Sequence, residues 1–110
     1  MRRGEIWWAE LPGAAGRRPV LLVSRDAAYA IRANVSVIEV SRTIRGIPSE
    51  VALGRRDGLP RKCVANADNV VTVPKRWLKE WIATLSAAKL GAVDDALRFS
   101  LGLDARPASS

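Results

Sequence analysis

Apolar and polar positions alternate along this chain in short runs, separated by glycine, proline and clusters of charge. Residues 5–11 mix branched and aromatic side chains with single polar ones and predict a first strand. Residues 12–16, Pro-Gly-Ala-Ala-Gly, predict a mobile connection with turn chemistry. The next run, Arg17-Arg18-Pro19-Val20-Leu21-Leu22-Val23-Ser24-Arg25, is apolar without alternation, which predicts a strand buried on both faces. Asp26 can cap a short helix over 27–32, and Asn34 ends it. Strands are expected over 35–41, 49–53 and 63–73, with a basic loop over 42–48 and a cationic turn region over 54–62. Pro74 opens a helical turn, and a last strand is expected over 81–85. Ser86 caps a helix over 87–101, whose Leu90, Val93, Leu97 and Leu101 fall at helical spacing before Gly102 stops it.

Many short strands followed by one helix predict a mainly β fold, a small, strongly bent sheet or partial barrel. With 110 residues the chain has room for one core, placed here at residues 1–104, with 105–110 expected to form a flexible tail. The charged N-terminus leads into no apolar segment of the signal-peptide kind, and no stretch is long enough to span a bilayer. No membrane association and a cytoplasmic location are therefore expected. The single cysteine, Cys63, cannot form an internal disulfide, and reads as a small buried apolar residue. With no histidine, paired-histidine catalysis and His-ligated zinc are excluded. Arginine, carboxylate and hydroxyl groups are left to carry any chemistry.

Charge narrows the choice of partner. The chain has 18 Lys+Arg against 11 Asp+Glu, a net charge of +7. Residues 1–62 hold 12 of the basic and 6 of the acidic groups, a balance of +6, whereas the remainder carries only +1. Arginine dominates the first part, and its planar fork suits phosphate. An uneven cationic surface of this kind points to a polyanion, most simply nucleic acid.

Arg18 stands where the glycine-bearing connection becomes a rigid strand, and Pro19 biases it towards an extended backbone. Ser41 and Thr43 flank Arg42 at a strand end, and Asn66-Ala67-Asp68-Asn69 interrupts a later strand. Together these supply a cation, hydroxyls and a carboxylate, a set able to handle a phosphodiester without metal or histidine.

These segments, with Arg3-Gly4-Glu5-Ile6-Trp7 at the start and Leu97-Arg98-Phe99-Ser100-Leu101-Gly102-Leu103 at the end, resemble the MazF/PemK family of toxins from type II toxin–antitoxin pairs. The resemblance implies an SH3-like small barrel (MazF/CcdB-like) with a C-terminal helix, a homodimer, and a sequence-specific, metal-independent endoribonuclease needing no cofactor. It places the active-site arginine on Arg18, the strand-end hydroxyl on Ser41 (Thr43 if the register shifts), and a catalytic aspartate on Asp68. Asn66 stands where members with that aspartate carry an arginine, and the connection before Arg18 is shorter than usual and lacks the family's common acidic residue. On this reading Arg18 holds charge on the phosphate, Ser41 bonds a phosphate oxygen or positions the 2′-OH, and Asp68 is the candidate base if its surroundings raise its pKa. Arg17, Arg25, Arg42, Arg45, Arg55, Arg56, Arg61 and Lys62 are the expected RNA track, with Tyr29, Trp77 and Trp81 as possible base stackers.

The partner expected to silence such a toxin is an antitoxin segment, disordered, apolar and acidic, that covers the basic groove. Two other classes compete. A gyrase-type inhibitor on the same fold is disfavoured because the last helix carries no tryptophan. A plain RNA-binding barrel would bind without cleaving and would have no special need of Arg18.

Overall fold

The alternating runs assemble into one antiparallel sheet. The computed structural model describes residues 1–103, so the expected domain end at 104 and the tail at 105–110 lie outside the described residues. Strands β1 (Glu5–Leu11), β2 (Gly16–Leu22), β3 (Asn34–Ser41), β4 (Glu50–Leu53), β5 (Cys63–Pro74) and β6 (Leu78–Thr84) are accompanied by a single-turn helix α1 (Ala28–Ile31) and the terminal helix α2 (Ala87–Leu101). The strand order is β4-β5-β3-β2-β1-β6, curled into a half-barrel. This is the mainly β architecture with a C-terminal helix that the patterning predicts.

The second half of β2, Val20–Leu22, is buried on both faces, because the curled sheet has a core on each side. Arg17 and Arg18 in its first half are exposed, so the strand is buried only in part. Leu21 faces a core built with Ile6, Ile38, Val40, Leu53 and the α2 residues Val93 and Ala96. Val20 and Leu22 face a second core with Ala9, Tyr29, Val35, Val37, Val73 and Leu78. All three β2 side chains are fully buried, each worth about 1.5–3 kcal/mol relative to exposure. Ser86 caps α2 by accepting from the Lys89 N–H at 3.1 Å, and Gly102 closes it in the left-handed region. On α2, Ala96 turns inward with Val93, whereas Leu101 is exposed.

Two boundaries differ from the patterning by more than one residue. Strand β2 stops at Leu22 rather than residue 25, since Ser24 Oγ takes the Ser36 N–H at 2.7 Å and bends the chain out of the ladder. Strand β6 begins at Leu78, three residues before the expected start. Lys79 and Glu80 have the composition of a turn but occupy exposed positions of an edge strand, where charge is well tolerated. The region 54–62 is ordered by a 3₁₀ turn over Arg55–Asp57, with Asp57 Oδ2 accepting from the Gly54 N–H at 2.9 Å. Gly58 (φ +91°) lets this segment lie against β6: a Cβ there would fall 2.6 Å from the Ala83 Cβ. Among the described residues no helix is long and apolar enough to cross a membrane.

Candidate functional site

The ladder between β2 and β3 covers only Val20–Leu22 against Glu39–Val37. Pro19 brings no N–H, and from there towards Gly16 the strand pairs only with β1. Strand β3 instead continues along β5, with Val40 opposite Ala65 and Ser41 opposite Val64. The two strands therefore part, and the gap between them is a cleft of about 360 Å³. Its apolar surface comes from Val40, Leu59, Cys63 and Ile82, and Arg17, Arg18, Arg42 and Arg61 surround it. Among the described residues the lining has four arginines and no carboxylate, a concave cationic surface suited to phosphate.

Neighbouring segments hold these cations in place. The Arg55 Nε donates to the Pro60 carbonyl at 3.3 Å, closing the segment that carries Arg61. Arg17 pairs with Glu80 at 2.6 Å, and its guanidinium lies 4.8 Å from the centroid of the Trp8 ring. The loop after β3 is tied at three points. Ser41 Oγ accepts from the Thr43 N–H at 3.0 Å. The Glu50 carboxylate takes the Arg45 N–H at 3.0 and 3.1 Å and the Gly46 N–H at 2.8 Å. Asp68 Oδ2 accepts from Ser49 Oγ at 2.8 Å.

The sequence-derived candidates thus separate into two groups. Arg17, Arg18, Arg42 and Arg61 meet in the cleft. Ser41, Thr43, Asn66 and Asp68 do not line it: Ser41 Oγ takes the Thr43 N–H, Asn66 Oδ1 accepts from the Asp68 N–H at 2.9 Å, and Asp68 accepts from the Ser49 hydroxyl. Hydrogen bonding from Ser100 and Ser49 keeps the Asp68 carboxyl below its ordinary range, so the raised pKa that a general base would need is not met. Arg45, Arg55, Arg56 and Lys62 are exposed on the flanking loops. Arg25 lies beyond the opposite end of β2, roughly 20 Å of extended chain from Arg18.

Of the expected stackers, Tyr29 is 7% exposed within the second core, where burial pushes its phenol up to about 12. Trp77 packs against the same core, and Trp81 is exposed on β6 with its indole N–H bonded to Thr84. The aromatic at the cleft is Trp8, which sequence reasoning passed over. The signal was latent in the β1–β2 hairpin, since register places Trp8 opposite Pro19. Cys63 is buried as expected: desolvation and Asp57 push its thiol up, and Sγ sits 3.9 Å from the Leu53 carbonyl. It is not a nucleophile in this state. Among the described residues no group of three or more Cys, Asp and Glu side chains gathers as a metal site would require.

A family profile described as the PemK-like, MazF-like toxin of type II toxin–antitoxin systems matches residues 2–101. The chain belongs to this toxin family. A relative from Mycobacterium tuberculosis, described as probable endoribonuclease MazF2, is 41% identical over 103 residues, covering 93% of this chain and 99% of its own. The solved M. tuberculosis toxin MazF-mt6 superposes with a TM-score of 0.83 at 31% identity, covering 92% of this chain and 99% of that one. A mycobacterial endoribonuclease solved in complex with its cognate antitoxin gives 0.84 at 31% identity, with 96% and 98% covered. Within the MazF-like toxins, then, the parting of β2 and β3 that exposes Arg18 is this chain's candidate centre.

Proposed function

We propose that this MazF-like toxin is a sequence-specific endoribonuclease that cleaves single-stranded RNA in the cytoplasm without a metal, and so inhibits translation and growth. The observation that carries the reading is the gathering of Arg17, Arg18, Arg42 and Arg61 around one cleft between β2 and β3. RNA brings its own nucleophile. The 2′-oxygen loses its proton to solvent and bonds to phosphorus. The bond from phosphorus to the 5′-oxygen breaks, and that oxygen takes a proton from water. The products are a 2′,3′-cyclic phosphate and a 5′-hydroxyl.

What the reaction requires of the protein is stabilisation of charge on the phosphorane, and Arg18 takes that role. Its guanidinium offers a planar fork of N–H donors, and one preorganised donor is worth about 3–4 kcal/mol in the transition state. The Ser41 hydroxyl, away from the cleft, accepts from the Thr43 N–H and so fixes the start of the loop that carries Arg42. Asp68 acts at one remove, by fixing Ser49 at the end of the arginine-bearing loop. The apolar cleft surface within an arginine rim fits an acidic and apolar antitoxin segment, which would compete with RNA. The toxin is a homodimer on this reading, joined through the exposed outer edge of β5 and the end of α2.

Incubating the protein with a long RNA in excess EDTA and mapping the new ends tests the reading. Discrete cuts bearing 2′,3′-cyclic phosphates are expected, a 2′-deoxy nucleotide at the scissile position should block them, and Arg18→Ala should slow them roughly 100- to 1,000-fold. Cleavage by folded Arg18→Ala at the wild-type rate overturns the role given to that residue.

A further inference from the structure

Trp8, Arg17 and Glu80 form a cluster at the cleft that binding of phosphate alone does not use. Across the sheet Trp8 stands opposite Pro19 on β2 and opposite Glu80 on β6. Arg17 is two residues before Pro19, so it shares the face of Trp8 as a diagonal neighbour. One indole thus meets a cation stacked at 4.8 Å, while that cation is bound at 2.6 Å to a carboxylate. Both charged side chains are more than half exposed, 52% for Arg17 and 66% for Glu80. An exposed pair of this kind is weakly held and easily exchanged for a phosphate.

Resting on the ribonuclease reading, we propose that Trp8 is the stacking platform for one nucleobase next to the phosphate held by Arg18. In the RNA-free protein Arg17 is parked on that platform by Glu80, and on binding it moves to a backbone phosphate. Several features support the assignment. Arg18 lines the same cleft as Trp8, so phosphate and base sites share one concavity. Single-stranded RNA is read by stacking unpaired bases on aromatic faces, and a phosphate is the natural competitor for an arginine held by a carboxylate. Glu80 is also an anion beside a cleft built for a polyanion. It weakens binding as such, which makes sense if it restrains Arg17 until RNA arrives.

The three residues carry different signatures, to be read on a randomised single-stranded RNA pool and then on a short RNA carrying the preferred sequence. Trp8→Leu should lose the preference at one nucleotide position and lower kcat/KM roughly 5- to 100-fold, while Trp8→Phe keeps the preference. Arg17→Ala should weaken binding of the 2′-deoxy-blocked RNA without altering the preference, and lower its logarithmic salt slope by about 0.7. Glu80→Gln should bind that RNA roughly two- to fivefold more tightly. A folded Trp8→Leu with the wild-type preference and kcat/KM overturns the proposal. If circular dichroism shows Trp8→Leu to be unfolded, Glu80→Gln decides, and binding no tighter than wild type overturns the parked arginine. Wild-type protein that leaves the pool intact overturns the ribonuclease reading itself, a result separate from either variant.

Discussion

Asp68 sits on β5 two residues past Asn66, the last residue that pairs with β4, and its carboxylate accepts from Ser49 Oγ at 2.8 Å. A carboxylate bonded by hydroxyls is favoured as the anion, and the first of those hydroxyls, Ser100, comes from the end of α2. The sign of the consequence is clear. With its pKa held below the unfolded value, Asp68 contributes stability at and above the ordinary carboxylate range, and that contribution is lost as pH falls through the folded pKa. At neutral pH it is already ionised, so it cannot supply a limb to the pH dependence of cleavage there. Asp68→Asn is therefore expected to leave the shape of the pH–rate profile unchanged between about pH 5 and 9, and to lower kcat/KM less than tenfold by loosening Ser49. Loss of a limb, with a fall of a thousandfold, would restore Asp68 as the base.

At the scale of elements, the segment over 54–62 shows what a single glycine decides. Gly58 has φ +91°, and the space its side chain would need is taken by the Ala83 Cβ on β6. Gly58→Ala adds left-handed strain and a steric overlap, about 2–4 kcal/mol together, and relief of the overlap moves the segment that carries Leu59 and Arg61. Both the melting temperature and the cleavage rate should drop. Stability lost with activity kept would show that this segment does not shape the cleft.

The same region marks how far the sequence could be read. Strand β1 and helix α2 were legible to the residue, because alternation and the Ser86 and Gly102 caps are local signals. The start of β6 was not, since the charges of Lys79 and Glu80 look alike in a turn and on an edge strand. The site follows the same division. Arg18, Arg42 and Arg61 are legible as arginines near strand ends, but their convergence depends on β3 leaving β2 for β5, a long-range pairing. Trp8 was lost for a related reason: with two tryptophans in succession, only strand register tells which one faces the cleft, and β1 carries irregularities against β6 on either side of them.

At the scale of the whole molecule, the longest strand is only partly covered. β5 runs over twelve residues, but β4 pairs with it only at Cys63–Asn66, so the outer edge of residues 68–74 has no strand partner among those described. Val70 and Val71 are exposed on that stretch. The end of α2 lies close by, with Ser100 Oγ 3.1 Å from the Ala67 carbonyl oxygen, and exposes Phe99 and Leu101, with Leu103 just beyond it. An unpaired edge beside exposed apolar side chains is a hazard in a free monomer and a natural seat for a second copy. Phe99 is 56% exposed and adds little to the monomer's own core, so Phe99→Asp should leave the fold intact while charging the interface. In sedimentation the wild type should run at twice the 11.9 kDa chain mass and Phe99→Asp at the chain mass. Hydrogen exchange at those amides of residues 69–72 that point away from β3 should be slow in the first and fast in the second. Wild-type protein that sediments at the chain mass, with those amides exchanging freely, would mean that this face is left for the antitoxin and that the arginine cleft works within a single chain.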